Sequence, residues 1–274
     1  MSINESAITI WVDESTDILI NGEEYNLVGY LITDSDKNEF LFLNQLKQVR
    51  KSIPQCWTTM HGCEIREGDS REIDLIDRWF KCFEDNDNVY FHAFLYKKNS
   101  SFIPKGKTYE NYFAKQSVFA IAYKMKKSGY PINTMFKDVS TLTVLFDRRR
   151  SHSADIIDKG GKKKISRLND LENIYKKEII NQIEKVSGKN SKTTELTIRF
   201  SFLSSECFDG MQFSDCFLYV LRKKIEQEVG NQKENKFTKL FDKYFLDSLP
   251  ANVRILSFRN IYKYEKKLNF FELN

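Results

Sequence analysis

The sequence has no apolar run of the about 20 consecutive residues that a helix needs to cross a bilayer. Its opening, MSINESAITI, contains neither the basic segment nor the apolar segment of a secretory signal peptide. We therefore expect a cytoplasmic protein without a membrane partner. A strong charge of one sign is also absent, because 43 Lys and Arg face 38 Asp and Glu, and the resulting net charge of +5 permits nucleic-acid binding without requiring it.

Cysteine is scarce, and its pattern excludes two further classes of protein. The five cysteines are odd in number and scattered, which argues against a disulfide framework. Cys56, His61 and Cys63 lie close together, but the sequence has no C-x-x-C pair and no second half-site. Buried or incidental thiols are therefore expected here, and not a zinc site.

What the sequence does contain is material for a core and a regular alternation of patterns. Hydrophobic residues make up 41% of the 274 residues, which predicts a folded globular protein. Strand-like segments lead, around the hairpin signal Asn21-Gly22 or a turn within 13–17, and helix-like and strand-like segments then alternate. This order predicts an α/β fold with a mixed sheet, whose first strands are antiparallel and whose later strands are parallel.

The individual elements follow from periodicity, turn residues and capping residues. Ser70 is the expected N-cap of the second helix. Residues 148–164 are polar and basic and are predicted to form a long loop. Strands are expected within 7–33 and at 88–97, 141–147, 194–206 and 253–258, and helices at 38–53, 70–85, 109–129, 168–188, 211–230 and 236–248.

Acidic residues follow two of the predicted strands. Asp13 comes after Ile-Thr-Ile-Trp-Val, and Asp147 comes after Leu-Thr-Val-Leu-Phe. Sites in open α/β sheets gather at the carboxyl ends of strands, and two carboxylates there would repel each other unless a divalent cation lay between them. Asp215, inside an apolar helix, and Glu64, in MHGCEIREGD, extend the set. Four such acids could build a two-metal phosphoryl-transfer site for Mg²⁺ or Mn²⁺.

Each of these residues also has a plainer interpretation. An acid at a strand end is commonly a turn residue, which applies to Asp13 and Asp147. Asp215 could pair with an arginine, and Glu64 could lie on a solvated loop. His61 is close to Glu64, although a structural role for this histidine is the simpler hypothesis. A run of arginines at 148–150 is commonly a solvated turn, but beside a metal site it would hold phosphate.

The ordered set of short motifs resembles a known family. VDES after the first strand is followed by LVGYLIT, HGCE, VLFDRR and SSECFDGMQFSDCFLYV, over roughly residues 7–225. This set is similar to the family catalogued as domain of unknown function 3800, which is regarded as ribonuclease H-like. The resemblance implies a five-stranded mixed sheet with three antiparallel leading strands and flanking helices. It implies one ribonuclease H-like domain over 1–274, with the basic loop near 148–164 and a C-terminal extension from about 231.

The resemblance also implies an acidic site and a function. The family's acids fall on Asp13, with Glu14 beside it, and on Glu64, Asp147 and Asp215, the last in QFSD where the family shows something like QLAD. The expected function is a metal-dependent nuclease that uses Mg²⁺ or Mn²⁺, with Glu14 and His61 near the ligands. Some members of the family lie beside defence genes of bacteria and phages. The basic residues expected to contact the nucleic-acid backbone are Arg148, Arg149, Arg150, Lys162, Lys163, Lys164, Lys176 and Lys177.

Two other functions remain open at this point. The first is an inactive nucleic-acid-binding or regulatory module that keeps the fold. The second is a phosphohydrolase with Asp13 as covalent nucleophile, for which Ser15 stands where a second aspartate would be wanted. The sequence does not distinguish DNA from RNA as the partner, and a protein partner or a homodimer is open as well.

Overall fold

A computed structural model describes residues 6–53, 65, 69–97, 139–147, 173, 176–177, 179–180, 197–203, 208–229, 233–245 and 253–257. Its strands are β1 (Ser6–Ile20), β2 (Glu23–Thr33), β3 (Val89–Lys97), β4 (Val139–Asp147), β5 (Thr197–Leu203) and β6 (Val253–Ser257). Its helices are α1 (Asp36–Ser52), α2 (Ser70–Glu84), α3 (Asp209–Glu228) and α4 (Lys236–Phe245). The predicted helices at 109–129 and 168–188 lie wholly or mostly outside the described residues.

The strands form one mixed sheet in the order β5-β4-β1-β2-β3-β6. β2 and β3 are antiparallel, whereas β4 pairs with β5 and β3 pairs with β6 in parallel. A mixed α/β fold with helices beside the sheet is therefore confirmed. The predicted number of five strands is wrong, because the tail strand β6 adds to the edge of β3 as a sixth. No helix within the described ranges has both the length and the apolar character to span a membrane.

The hairpin between β1 and β2 is the one that Asn21-Gly22 predicts. Both residues have positive φ, 51° and 78°, which is the backbone of a type I′ turn that favours this pair of residues. The alternative turn within 13–17 is wrong, because β1 continues through it to Ile20. Asp17 has a φ of 61°, so the strand is locally irregular there without ending.

The chain divides into two compact units, and the division falls inside β1. The first unit comprises 1–10 and 101–203 and holds β4 and β5. In it, Phe146 packs against Phe200 and Phe202, with ring centroids 6.3 and 5.9 Å apart. The second unit comprises 11–100 and 204–274 and holds the rest of β1, the strands β2, β3 and β6, and all four labelled helices. The prediction of a single domain stays a prediction.

The core of the second unit is aromatic and is built around α3. This helix packs against β2, α1 and α4, and α2 packs against α1 and α4. Phe217 of α3 stacks on Phe91 of β3 with ring centroids 3.9 Å apart, and it also contacts Phe80 of α2 at 5.3 Å. All three rings are buried, so these contacts fix α3 between the sheet and the other helices.

The start of α2 differs from the sequence prediction by one residue. Asp69 is the N-cap, and its carboxylate accepts hydrogen bonds from the backbone N–H groups of Arg71 and Glu72. Ser70, the predicted cap, is the first helical residue. Asp and Ser are about equally good caps, so two adjacent candidates cannot be ranked by residue type alone.

Candidate functional site

Asp13 lies in the interior of β1 and is nearly buried. Its side chain is 6% exposed, and the residues before it, Ile10 to Val12, are buried too. The Asp13 Oδ1 accepts a hydrogen bond from the backbone N–H of Glu14 at 2.7 Å. The interpretation of Asp13 as a turn residue is therefore wrong. A carboxylate at such a position is costly to desolvate and needs polar partners, which makes it a candidate for function.

The first turn of α3 lies against the face of β1 that carries Trp11. A Cβ placed on Gly210 would be 3.0 Å from the Trp11 ring and 3.0 Å from Leu43 Cδ2 of α1, so a larger residue there would make these side chains shift. Alternate residues of a strand share a face, so Asp13 is on the same side of β1 as Trp11. Asp13 therefore faces the helix that carries Asp215.

Asp215 is half-buried on α3, next to the fully buried Cys216. Burial raises the pKa of the Cys216 thiol well above its usual value, the charges of Asp215, Asp13 and Glu72 raise it further, and Arg50 opposes them. One buried thiol thus feels both Asp13 and Asp215. The charges of two carboxylates that the sequence assigns to one site therefore both act on one buried thiol of α3.

Arg50 fixes the beginning of α3. Its guanidinium forms an ion pair with Asp209 at 2.8 Å and donates to Gln212 Oε1 at 2.6 Å. It also lies 5.1 Å from the centroid of the Trp79 ring of α2. One cation therefore joins the last turn of α1 to the first turn of α3 and to α2. Sequence reasoning did not single out Arg50, because its partners lie far away along the chain.

Glu72 is a second charged residue that sequence reasoning did not assign to the site. It lies in the first turn of α2 and is only 8% exposed. The signal was present in the sequence, because Glu72 occupies the apolar stripe that continues through Leu75, Ile76 and Trp79. An acid on such a stripe is directed into the protein, and its charge acts on the same thiol as those of Asp13 and Asp215.

The remaining predicted residues are accounted for as follows. Asp147 is the last residue of β4, as predicted, and is half-buried in the first unit, where it pairs in register with Leu203 of β5. Glu14 is half-buried beside Asp13. Lys176 and Lys177 are helical, the first half-buried and the second exposed. The predicted residues that lie outside the described ranges are Glu64, His61, Arg148, Arg149, Arg150, Lys162, Lys163 and Lys164.

The donor set for a metal ion is incomplete among the residues described. Within those ranges, no group of three or more His, Cys, Asp and Glu side chains is arranged to hold a metal. Asp13 and Asp215 supply two carboxylates in the second unit, which suits a hard divalent cation that prefers oxygen ligands.

Comparison with solved structures shows a distant likeness in fold. No family model matches the sequence, and no curated protein matches it. A chain in the structure of the PCNA:RNase HII complex from Archaeoglobus fulgidus is similar at 10% sequence identity and a TM-score of 0.38, covering 88% of this chain and 89% of that one. A likeness of this size carries no conclusion about activity.

Proposed function

We propose that the protein is a metal-dependent nuclease of the ribonuclease H-like kind, with Asp13, Glu64, Asp147 and Asp215 as its acidic site. The observation that carries the proposal is the neighbourhood of Asp13 and Asp215 in the second unit. A nearly buried carboxylate on a strand and a half-buried one on the adjacent helix act on the same thiol. Carboxylates at low exposure favour a nearby cation, and a divalent ion beside Asp13 and Asp215 would supply one.

The protein's own groups have separable roles in this proposal. The backbone N–H of Glu14 orients the Asp13 carboxylate through one oxygen, and Asp13 would act as a metal ligand. Arg50 holds the first turn of α3 and so fixes the direction in which Asp215 is presented. A bound Mg²⁺ or Mn²⁺ would supply activation of water and stabilisation of the leaving oxygen. The same proposal includes nucleic acid as the partner and membership of the family that the sequence resembles. It also includes a cytoplasmic location and a role in bacterial or phage defence.

The test is cleavage of labelled single- and double-stranded DNA, RNA and hybrid with Mg²⁺, Mn²⁺ or EDTA. We expect cleavage that requires metal and that falls at least about 100-fold in Asp13→Asn and in Asp215→Asn, because even the loss of an outer-shell group costs a metal site about 10–100-fold. Asp87→Asn, which removes an exposed carboxylate after α2, is the matched control and should cleave like the wild type.

Calorimetric titration with Mn²⁺ gives a second, independent result. Asp13→Asn and Asp215→Asn should weaken Mn²⁺ binding, while Asp87→Asn leaves it unchanged. Cleavage that proceeds equally well in Asp13→Asn would contradict the proposal. Binding of nucleic acid with no cleavage under any metal would instead favour the inactive binding module.

A further inference from the structure

Helix α1 has an inner and an outer face of opposite character. Phe42 and Leu46 on the inner face are buried in the second unit. The residues of the opposite face are all exposed, and together they are here called the outer face of α1. These residues are Lys37, Phe40, Leu41, Asn44, Lys47, Gln48 and Lys51.

The outer face of α1 combines positive charge with an exposed aromatic ring. Phe40 is 68% exposed, the largest exposed fraction among the large hydrophobic residues described. No ion pair within the described part of the chain involves Lys37, Lys47 or Lys51. The acids of α1, Asp36 and Glu39, are confined to its first turn, where the helix dipole favours them.

Lysines on the neighbouring helices are different, because acids of this chain already engage them. Lys81 of α2 is paired with Glu84 and Asp85, at 2.8 and 3.0 Å. Lys243 of α4 is paired with Asp77 at 2.7 Å. Among the lysines that the structure describes on α1, α2 and α4, the three of the outer face of α1 therefore differ in having no acid of the described residues paired with them, which suits them to bind an external anion.

We propose that the outer face of α1 binds single-stranded nucleic acid, with phosphates on the lysines and an unpaired base on the ring of Phe40. Lys37 and Lys51 are separated by about 21 Å along the helix axis, which is long enough for several nucleotides. In proteins that bind single strands, bases stack on exposed aromatic rings and the phosphate backbone follows nearby cations. A protein partner fits less well, since lysine is depleted in protein interfaces.

The outer face of α1 ends next to the residue that attaches α1 to α3. Lys51 follows Arg50, which forms the ion pair with Asp209 at the start of α3, the helix that carries Asp215. A strand lying on the outer face would therefore run toward that helix. This inference rests on the proposed function for the substrate class, nucleic acid. It deepens that function by narrowing the substrate to single strands. Binding itself needs no cleavage, so the two proposals can fail separately.

The test measures binding of a short labelled oligothymidylate by fluorescence anisotropy. EDTA is present so that metal-dependent cleavage cannot occur. Replacing Lys37, Lys47 and Lys51 together by Gln should weaken binding at least about 10-fold and reduce the salt dependence of log K by about 2, which is what loss of three phosphate contacts predicts for a single strand. Phe40→Ala should weaken binding by about 5- to 100-fold, and Phe40→Trp should restore it.

The control replaces Lys81, Lys236 and Lys239 by Gln, which changes the net charge equally on the exposed surface of α2 and α4. This triple variant should bind like the wild type. An equal loss in the control, or wild-type binding by Phe40→Ala, would overturn the proposal. Binding to anionic phosphatidylserine vesicles is measured with the same variants. If the substitutions on the outer face of α1 weaken vesicle binding and leave oligothymidylate binding unchanged, the proposal is also overturned, since that result assigns the face to a membrane surface. If Asp13→Asn binds normally and the wild type never cleaves, this inference holds and the nuclease proposal fails.

Discussion

At the scale of single residues, Gly29 decides how closely α3 approaches the sheet. It lies in β2 opposite Ala93 of β3. A Cβ on Gly29 would be 2.7 Å from Phe91 Cζ and 2.8 Å from Leu218 Cδ2, distances that real side chains do not keep. The absence of a side chain here thus allows Phe91 and Leu218 to close over the strand, which is needed for the stacking of Phe91 on Phe217.

Gly29→Ala is therefore expected to lower the free energy of unfolding by about 1–3 kcal/mol, the usual cost of overpacking a core. Urea unfolding measures this. The same substitution in a Leu218→Ala background should cost less, because one of the two colliding side chains is gone, and the difference is a coupling energy between the two sites. Equal costs in the two backgrounds would show that Leu218 does not limit the space at Gly29.

At the scale of elements, α3 is held at its first turn by one side chain of α1. Arg50 is largely buried, with 15% of its side chain exposed, and it bonds to Asp209 and Gln212 while covering Trp79. These bonds join the end of α1 to the start of α3. Without them, the partly buried polar groups of Asp209 and Gln212 would lose the hydrogen bonds that Arg50 donates. Asp215 lies on the same helix, so we expect loss of this attachment to affect its position.

Arg50→Met keeps the apolar stem and removes the charge, and we expect it to lower the free energy of unfolding by about 1–3 kcal/mol, since bonds to charged groups contribute about that much. Hydrogen exchange should speed up in the first turn of α3 before it does elsewhere in that helix. Arg71→Met is the control. Arg71 pairs with Asp69 at 3.3 Å and is 47% exposed, and exposed pairs contribute little. If Arg50→Met and Arg71→Met lower the free energy of unfolding equally, the attachment at α3 contributes no more than an exposed ion pair.

At the scale of the whole molecule, stability should depend on pH in the alkaline range. Burial and the hydrogen bond to Asp77 raise the pKa of Tyr244 to about 12, against the opposing effect of Lys243. For Lys224, burial by itself lowers the pKa, but bonds to Asp242 and Glu228 outweigh burial and the pKa is raised. Both groups bind protons more tightly in the folded state, so their contributions are complete at lower pH and are lost as pH rises.

The free energy of unfolding is therefore expected to fall as pH rises from 10 toward 12, the interval between the ordinary pKa of a tyrosine and that of Tyr244. Tyr244→Phe cannot ionise, so its stability should fall less steeply over that interval although it begins lower. Urea unfolding at a series of pH values gives both slopes. Identical slopes would mean that Tyr244 keeps its proton equally well in the unfolded chain.

The same whole-molecule view shows which features could be predicted from the sequence. The Asn21-Gly22 hairpin and the helices α1, α2, α3 and α4 follow from local patterns, because turn residues and periodicity act over a few positions. Asp13 as a site residue stays a prediction, but its predicted place at a strand end is wrong, because it lies inside β1. The polar stretch that begins with Asp13, DESTD, resembles a turn, and the strand continues because β2 pairs with it in the hairpin.

Features that depend on distant partners were not predictable in this way. The attachment of Arg50 to α3 and the pairing of β6 with β3 join segments far apart in sequence. Local periodicity predicts that a strand exists near residue 253, but the edge it joins is a property of the assembled sheet. Glu72 is the exception, since its place on the apolar stripe of α2 was visible in the sequence alone.

The position of β6 has a consequence for how the protein is made. β3 is synthesised long before β6, and until β6 pairs with it the outer edge of β3 presents unpaired N–H and C=O groups. Such an edge is a template for pairing with other chains while translation continues. Pairing of β6 therefore protects the edge of β3 from aggregation. A ribosome that stalls after β3 would leave a nascent chain with this edge exposed and in need of chaperones.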